Sequence, residues 1–420
     1  MIEKKVLPNG VRVLSERLDF VRSCSIGIWV GNGSRYEPAE VGGISHFIEH
    51  MIFKGTDTRS AQQIAIAMDE IGGQVNAFTT KECTCYYLKT LDTHLMTGVE
   101  ILADMFLHSK FANEDIELER GVVLEEIDMY EDTPEDVANE KLFESCFASS
   151  SLGRPVLGTE DTLRTMDSDA LHAYMRDFYS PQDTVIALSG SFSDEALAYI
   201  CELFGAMRGT GHNEVVPAQY AQSVLVRPKD IEQCHLCMGF PGIPMHAEER
   251  YAMQMMNAIL GDGMSSRLFQ TVREQNGLCY TVYSFHDSYQ DTGIFSVYTA
   301  LGKQMETRAI ELIGQVLREF AQNGPTHEEL SRCREQRKTS MLMGLESTSA
   351  RMNHLGRSEL FRGRVLSPEE LIAGYDAVTE EQVLALARRV LDFSQASICA
   401  VGQVDDTEHY AALLRRAGGL

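Results

Sequence analysis

The chain has 420 residues and a formal net charge of −24, with 37 Lys and Arg against 61 Asp and Glu. This acidity argues against nucleic acid and anionic membrane surfaces as partners, and it is compatible with basic ligands. No apolar run approaches the roughly 18 residues that a membrane-spanning helix needs. The ten cysteines are scattered rather than spaced as a disulfide framework, and the N-terminal sequence lacks the apolar core of a signal peptide. The sequence therefore predicts a cytoplasmic protein.

The first predicted elements lead to a pair of histidines. Residues 24–30 are apolar and rich in strand formers, so they predict a strand, and the helix that follows contains His46, Glu49 and His50 in the order H-x-x-E-H. Histidines four apart lie on one helix face, where they can take two corners of a tetrahedral zinc site. Glu49 flanks that face and is placed to act on a water at the metal rather than to bind the metal. The alternative is a chance arrangement on a surface helix.

A zinc enzyme also needs a third protein ligand and an open position for water. The helix predicted at 113–130 offers five carboxylates, and the residues alone do not choose among Glu114, Glu117, Glu119, Glu125 and Glu126. Glu119 and Glu126 are seven apart and share a face, so one can bind the metal while the other supports a ligand. The alternative is a solvated acidic face without a ligand.

Further elements continue the α and β pattern along the chain. The sequence predicts paired strands at 75–80 and 83–90, helices at 92–108, 135–147 and 193–207, and a strand at 184–190. Cys234 and Cys237 have C-x-x-C spacing, but they lie in a predicted strand, where residues three apart point to opposite faces. We therefore interpret both cysteines as structural.

The order of elements repeats after a segment without periodicity. Gly31 at the end of the first strand corresponds to Gly242, an offset of 211 residues (242 − 31), and Gly190 corresponds to Gly402, an offset of 212 (402 − 190). The sequence predicts an α+β protein of two homologous halves, 1–208 and 223–420, joined by a linker at 209–222. Each half is expected to be an antiparallel-rich sheet with helices packed on one face.

The same register compares the metal motif with its counterpart in the second half. His46 aligns with Asn257, and His50 aligns with Gly261. The second half has therefore kept the helix and lost the ligands. We expect one metal-binding half and one half without a metal.

With these motifs in place, the sequence resembles the pitrilysin-type inverzincin peptidases, the superfamily of mitochondrial processing peptidase and insulin-degrading enzyme, and especially their short bacterial members of two halves. In that family a glutamate ligand follows the second histidine at the spacing seen here between His50 and Glu126, which is 76 residues (126 − 50). The resemblance implies one zinc ion per chain, held by His46, His50 and Glu126. It also implies Glu49 as general base and Glu119 as support for a ligand, with Glu125 as the competing ligand assignment.

The resemblance extends to two further stretches. Residues 72–82 are similar to a family edge strand that pairs with an extended substrate, which implies Asn76 and Ala77 as substrate-binding residues. Residues 264–280 are similar to the family's Phe…Arg…Tyr element. That likeness implies substrate contact for Phe269, a hold on a substrate carbonyl for Arg273, and a hydrogen bond from Tyr280 to the developing oxyanion. Without the family, the first stretch is an ordinary hairpin and Tyr280 a core residue.

The function implied by the resemblance is that of a zinc metalloendopeptidase, which hydrolyses unfolded or extended peptides inside a closed chamber. The family's longer members enclose such a chamber with four halves, so a chain of two halves is expected to form a homodimer with active sites completed in trans. The alternative is a non-catalytic structural subunit of the same family. The intact motif residues argue against that alternative.

Overall fold

The computed structural model describes residues 2–209 and 211–419. The strands are β1 (Ile2–Val6), β2 (Arg12–Arg17), β3 (Ser23–Val30), β4 (Gln74–Thr79), β5 (Thr84–Leu91), β6 (Thr184–Gly190), β7 (Val224–Pro228), β8 (Gln233–Pro241), β9 (Thr281–Ser288), β10 (Gly293–Gly302) and β11 (Ser397–Gly402).

The α-helices lie between the strands and after the last one, singly or in longer series. They are α1 (Ile44–Met51), α2 (Ala61–Glu70), α3 (Leu95–Leu107), α4 (Asn113–Glu131), α5 (Pro134–Cys146), α6 (Glu160–Leu163), α7 (Ser168–Phe178), α8 (Asp194–Gly205), α9 (Arg250–Gly261), α10 (Glu306–Asn323), α11 (His327–Gly344), α12 (Thr348–Arg362), α13 (Pro368–Asp376), α14 (Glu380–Val390) and α15 (Thr407–Gly418). The segment Phe269–Gln275 is a π-helix. Within the described residues, no helix combines the length and the apolar character needed to cross a membrane.

The strands form two sheets that share one order. The first sheet runs β1-β2-β6-β3-β5-β4 and the second runs β7-β11-β8-β10-β9. With β1 set aside, each strand of the first sheet has a counterpart in the second. In both sheets one pair is parallel, β2 with β6 and β7 with β11, and the other pairs are antiparallel. The prediction of two homologous α+β halves with antiparallel-rich sheets is confirmed.

Contacts divide the chain into two compact units that differ from the two sequence halves in two segments. The first unit contains residues 1–127, 154–215 and 341–366, and the second contains residues 128–153, 216–340 and 367–420. Helix α5 comes from the first half but belongs to the second unit, whereas α12 comes from the second half and belongs to the first unit. We refer to α5 and α12 as the exchanged helices. The halves 1–208 and 223–420 stay a prediction from the sequence repeat, and the two compact units depart from them at the exchanged helices.

In the first unit, helices cover both faces of the sheet. Side chains of α1, α3 and α8 form the large core on one face, and the exchanged helix α12 packs on the other face against Trp29. The indole Nε1–H of Trp29 donates to Sδ of Met352 at 3.4 Å. Gly356 provides room for the ring, since a Cβ there would lie 2.2 Å from Nε1 of Trp29. The helices predicted on one face of the sheet are therefore present, and α12 adds a second helical layer on the other face.

The second unit repeats this arrangement with the other exchanged helix. Helices α9, α10, α14 and α15 pack on one face, and α5 packs on the other face, where Leu142 and Cys146 meet Cys237 and Tyr298. Cys234 is buried in the first of these layers and Cys237 in the second. The two cysteines therefore point to opposite faces of β8, as the strand pattern predicts.

Several element boundaries differ from the sequence prediction. Strands β1 and β2 were not predicted, and the helix predicted at 92–108 begins with a 3-10 turn, Asp92–His94, before α3 starts at Leu95. The predicted linker contains no helix or strand in its described part, between α8 and β7; Thr210 lies outside the described residues.

Candidate metal centre

The helix that carries the histidines starts at a buried carboxylate. Gly43 precedes α1 with φ of 91°, a left-handed conformation that glycine adopts readily. The carboxylate of Glu37 accepts the backbone N–H of Gly43 at 2.6 Å and that of Ser45 at 2.9 Å. It thereby satisfies N–H groups that the first turn leaves unpaired. Burial raises the pKa of Glu37, and these two hydrogen bonds oppose the shift. Glu37 thus fixes the start of the helix that bears His46 and His50.

Two imidazoles and one carboxylate come together on the first unit's helices. Nε2 of His46 lies 3.7 Å from Oε2 of Glu126, and Nε2 of His50 lies 3.4 Å from the same oxygen. The two imidazole rings are 4.6 Å apart between centroids. One ligand atom from each of these residues lies within 4.8 Å of the others. Glu125 is exposed on α4 and is not part of this group.

A second glutamate orients one of the imidazoles. Oε1 of Glu119 lies 2.8 Å from Nδ1 of His50, and Oε2 of Glu119 lies 2.5 Å from Nζ of Lys54. Glu119 is buried, with 4% of its surface exposed. In the neutral imidazole that a metal requires, Glu119 accepts the proton on Nδ1, and the lone pair of His50 then lies on Nε2, which faces Glu126. The chain from Lys54 through Glu119 to His50 therefore selects the tautomer that binds a metal.

The protonation of the group differs between its two histidines. Burial, together with the nearby charge of His50, lowers the pKa of His46 to about 4. Burial would lower the pKa of His50 too, but hydrogen bonds with Glu126 and Glu119 raise it above the usual value. Interaction with His50, whose Nε2 lies 3.4 Å from its Oε2, lowers the pKa of Glu126. His46 is thus neutral near pH 7, and Glu126 is an anion, which are the forms that bind a cation.

This donor set fits zinc. Two imidazole nitrogens and one carboxylate oxygen are zinc ligands of the expected kind, and three protein ligands leave the fourth tetrahedral position open. Nδ1 of His46 is buried, and it has no hydrogen-bond partner among the described residues. In addition, Glu119 accepts a hydrogen bond from the second ring nitrogen of His50, a contact that ligating histidines usually make.

Glu49 lies beside the group and is tied to the neighbouring strand. The hydroxyl of Thr79 on β4 donates to Oε2 of Glu49 at 2.6 Å. Burial raises the pKa of Glu49, although this hydrogen bond opposes the shift. The second carboxylate oxygen remains available for a proton from water. Position and partner both suit a base rather than a ligand.

The strand that carries Thr79 also carries the predicted substrate residues. Strand β4 pairs with β5 only and is the edge of the first sheet. Asn76 is exposed, Ala77 is buried, and the side-chain oxygen of Asn76 accepts the backbone N–H of Ala77 at 2.8 Å. An edge strand has unpaired backbone groups that can bind an extended peptide.

The other predicted site residues lie in the second unit, where they form a group of their own. The guanidinium carbon of Arg273 lies 4.6 Å from the ring centroid of Phe269 and 4.6 Å from that of Tyr280. Tyr280 is 76% exposed. The prediction that Tyr280 could be an ordinary core residue is wrong, since it lies on the surface of its unit.

Helix α9, the equivalent of α1 in the second unit, has packing residues where α1 has histidines. Asn257 on α9 is buried, and its side-chain oxygen accepts the hydroxyl of Ser284 at 2.8 Å. A Cβ at Gly261 would lie 2.2 Å from the backbone nitrogen of Ser284. The positions that correspond to the two histidines are therefore used for packing against β9.

A second group of metal-ligand types occurs in the second unit. Glu306, Asp405 and His409 place ligand atoms within 4.8 Å of one another. Nζ of Lys303 lies 3.1 Å from Glu306 and 2.7 Å from Asp405. The lysine ammonium already supplies a cation there, so this group is an ion-pair network.

Three residues that build the metal centre were not singled out from the sequence. Lys54 follows His50 by four residues, and that i, i+4 spacing is a signal that could have been used. Thr79 is two residues beyond Ala77 on the same strand. Glu37 acts from a loop, and no spacing rule connects it with the helix that it caps.

Known proteins share the sequence and the fold of this chain. Residues 12–160 match the family model of insulinase, peptidase family M16, and residues 165–337 match the model of the peptidase M16 inactive domain. Two solved structures share the fold: a peptidase M16 inactive domain from Pseudomonas fluorescens, with a TM-score of 0.90 and 20% identity over 96% of this chain and 98% of that one, and a protease from Helicobacter pylori, with a TM-score of 0.88 and 18% identity over 96% and 99%.

Relatives of higher identity extend over nearly the whole chain. The uncharacterized zinc protease YmxG of Bacillus subtilis is 43% identical over 407 residues, which cover 96% of this chain and 100% of that one. An uncharacterized zinc protease of Streptomyces coelicolor is 37% identical over 417 residues, which cover 97% and 91%. One from Mycobacterium tuberculosis is 40% identical over 395 residues, which cover 92% and 90%. The chain therefore belongs to peptidase family M16, the insulinase family, and its close relatives bear the name of zinc proteases.

Proposed function

We propose that this protein is a zinc-dependent endopeptidase that hydrolyses extended or unfolded peptides. The observation that carries the proposal is the convergence of His46, His50 and Glu126 on one point, with Glu49 beside them. Three ligands and an open position are the arrangement of a catalytic rather than a structural zinc site. A structural site would close the fourth position with another protein ligand.

Each residue of the group has a role in hydrolysis. Bound zinc supplies a Lewis acid for the scissile carbonyl and lowers the pKa of the attacking water. Glu49 accepts the proton of that water and passes it to the leaving amine. Glu119 keeps His50 in the ligating tautomer, and Thr79 holds one oxygen of Glu49 so that the other oxygen faces the reaction.

The substrate class follows from the edge strand. A peptide that adds to β4 forms backbone hydrogen bonds beside Asn76 and Ala77, which gives affinity with little demand on sequence. Only an extended or unfolded segment can add in this way. Enclosure of the peptide in a chamber is part of the proposal, with the family resemblance as its support, and the net charge of −24 favours basic peptides.

The test is substitution of the base with zinc retained. In Glu49→Gln the ligands are untouched, so zinc content by mass spectrometry should equal that of the wild type. Turnover of a quenched fluorescent unstructured peptide should fall by ~10²–10⁴-fold or more, the worth of general-base catalysis. Glu70→Gln, an exposed glutamate at the end of α2, is the matched control and should change neither quantity.

Two outcomes would contradict the proposal. Undiminished turnover by zinc-replete Glu49→Gln would remove Glu49 as the base. A wild-type protein that binds no zinc and cleaves no peptide would instead favour the alternative, a non-catalytic structural subunit of the family.

We further propose that the working enzyme is a homodimer whose sites are completed in trans by Arg273 and Tyr280. The test mixes two variants, Glu49→Gln and Tyr280→Phe, each of which is expected to be nearly inactive alone. After mixing, the chains are allowed to exchange subunits. Random pairing makes half of the dimers mixed, each with one intact site, so about a quarter of wild-type activity should return. No recovery despite demonstrated exchange, or an active purified monomer, would overturn this arrangement.

A further inference from the structure

We infer that Phe269 is a positioning residue, whose ring, together with that of Tyr280, holds the guanidinium of Arg273 in place before substrate arrives. The inference concerns the second unit alone, and its catalytic consequence rests on the proposed function. It differs from the expectation of substrate contact for Phe269, because here the phenylalanine acts through the arginine.

The first observation is the pair of contacts on one cation. The guanidinium carbon lies 4.6 Å from the centroid of the Phe269 ring and 4.6 Å from that of the Tyr280 ring. Both distances are within the range of about 6 Å in which an aromatic ring attracts a cation. Arg273 therefore has two aromatic partners at once.

The local backbone explains how the first ring reaches the arginine. Phe269 and Arg273 are the first and fifth residues of the π-helix Phe269–Gln275. An i→i+5 turn holds more residues than an α-helical turn, so side chains four apart are stacked more closely along its axis. π-Helices are rare, and they are frequent at functional sites. The unusual turn brings the Phe269 ring and the guanidinium together.

The second ring arrives through a sharp reversal after the π-helix. The N–H of Gly277 donates to the carbonyl of Arg273 at 2.9 Å, and the N–H of Leu278 donates to that of Val272 at 3.1 Å. Gly277 has φ of 61°, in the left-handed region that favours glycine. The chain turns back there and places Tyr280 over the arginine, directly before β9 begins.

The rings matter because Arg273 has a competing partner. Oε1 of Glu274 lies 3.6 Å from Nε of Arg273, and the two side chains are 50% and 32% exposed, which describes a weak surface ion pair. A free arginine side chain has many rotamers. The aromatic rings restrict those rotamers, and because a ring attracts the cation through its π system, the attraction does not require the N–H groups that would bind a carbonyl.

The experiment compares two substitutions at the same position. Phe269→Leu keeps apolar bulk but removes the ring, whereas Phe269→Tyr keeps the ring. Phe269→Leu should lower kcat/KM by about 5-fold, the worth of one exposed cation–π contact, to about 100-fold if the guanidinium is displaced by an ångström. Phe269→Tyr should stay within about 2-fold of the wild type. Phe20→Leu, at a phenylalanine 77% exposed in the first unit, is the control for the same chemical change.

A spectroscopic readout separates this inference from the proposed function. In protein labelled at arginine, the Nε–H signal of Arg273, assigned by its loss in Arg273→Lys, should be displaced by ring currents in the wild type and in Phe269→Tyr. In Phe269→Leu it should move toward the position of a free arginine, with unchanged zinc content. This readout applies even if the wild type proves inactive toward peptides.

Two results would overturn the inference. One is an Arg273 signal that is the same in Phe269→Leu as in the wild type. The other is a Phe269→Tyr variant as impaired as Phe269→Leu, which would show that the shape of the phenylalanine matters and its ring does not hold the cation.

Discussion

Helices α1 and α9 occupy equivalent places against two sheets of the same strand order, yet only α1 carries a set of metal ligands. On α1, His46 and His50 face Glu126. On α9, the side-chain oxygen of Asn257 accepts the hydroxyl of Ser284, and the backbone of Ser284 approaches Gly261 more closely than a Cβ would allow. The same helix position is therefore used for chemistry in one unit and for close packing in the other.

The comparison of α1 with α9 shows that the contact between the helix and its neighbouring strand differs along with the residues on the helix. In the first unit the edge strand β4 meets α1 through a side-chain hydrogen bond from Thr79 to Glu49. In the second unit the equivalent strand β9 meets α9 through its backbone at Gly261. A functional helix needs ligands and a strand that leaves room for them. The predictions below test this comparison, beginning with the largest expected effect.

The strongest test converts α1 into its counterpart. His46→Asn combined with His50→Gly should abolish zinc binding and lower peptide turnover by at least about 10³-fold, because both imidazole ligands and the water on which the base acts are lost. Zinc content by mass spectrometry and kcat/KM are measured on the same preparation. Near-stoichiometric zinc in this double variant would show that the metal is held elsewhere.

The reciprocal conversion is the matched control. Asn257→His combined with Gly261→His should bind no additional zinc, because a side chain at Gly261 collides with the backbone of Ser284. A second zinc ion per chain in this variant would mean that ligands alone distinguish the two helices.

A smaller loss of zinc affinity is expected when Glu119, which contacts the ligand His50, is changed. Glu119→Gln should raise the zinc dissociation constant about 10–100-fold, since the neutral amide no longer favours the ligating tautomer of His50 and no longer pairs with Lys54. Competition with a fluorescent zinc chelator measures the constant. Glu117→Gln, on the exposed face of the same helix, should leave it unchanged.

The same competition with a zinc chelator decides whether Glu125 or Glu126 is the ligand. Glu126→Gln should weaken zinc binding more than Glu119→Gln does, because it removes a ligand atom directly. If Glu125→Gln empties the site and Glu126→Gln does not, the ligand is Glu125.

The smallest effect is on stability and concerns the packing of α9 against β9. Gly261→Ala should lower the free energy of unfolding by about 1–3 kcal/mol through overpacking against Ser284. Gly205→Ala is the matched control, since Gly205 also ends a helix but has open space around it; it should be neutral or about 1 kcal/mol more stable. Chemical denaturation measures both variants, and equal stability of the two would contradict the close approach of β9.

Local patterns predicted much of the metal centre. The order H-x-x-E-H specifies that His46, Glu49 and His50 share one side of a helix, because helical geometry alone decides this. The choice of Glu126 over Glu125 came from family resemblance. Spacing of carboxylates on a helix says which residues share a face, but it does not say which face meets α1, and the packing that decides this is not local.

The parts that were missed have physical reasons of the same kind. Strand β1 is exposed along its whole length, so no apolar alternation marks it. Phe269–Gln275 has a helical pattern, but periodicity does not distinguish a π-turn from an α-turn over seven residues. For α5 and α12, an amphipathic pattern predicts that a helix has an apolar face and is silent about which sheet that face covers.

The exchanged helices α5 and α12 have a consequence for how such a chain could arise. A free single half would keep one sheet face bare, as Trp29 in the first half would be open to water without α12, and it would carry a helix without a sheet to cover. Two such chains would satisfy each other by trading that helix, which is domain swapping. The present chain then corresponds to a swapped pair whose two members have been joined end to end. Duplication followed by fusion of such a chain would make the trade permanent.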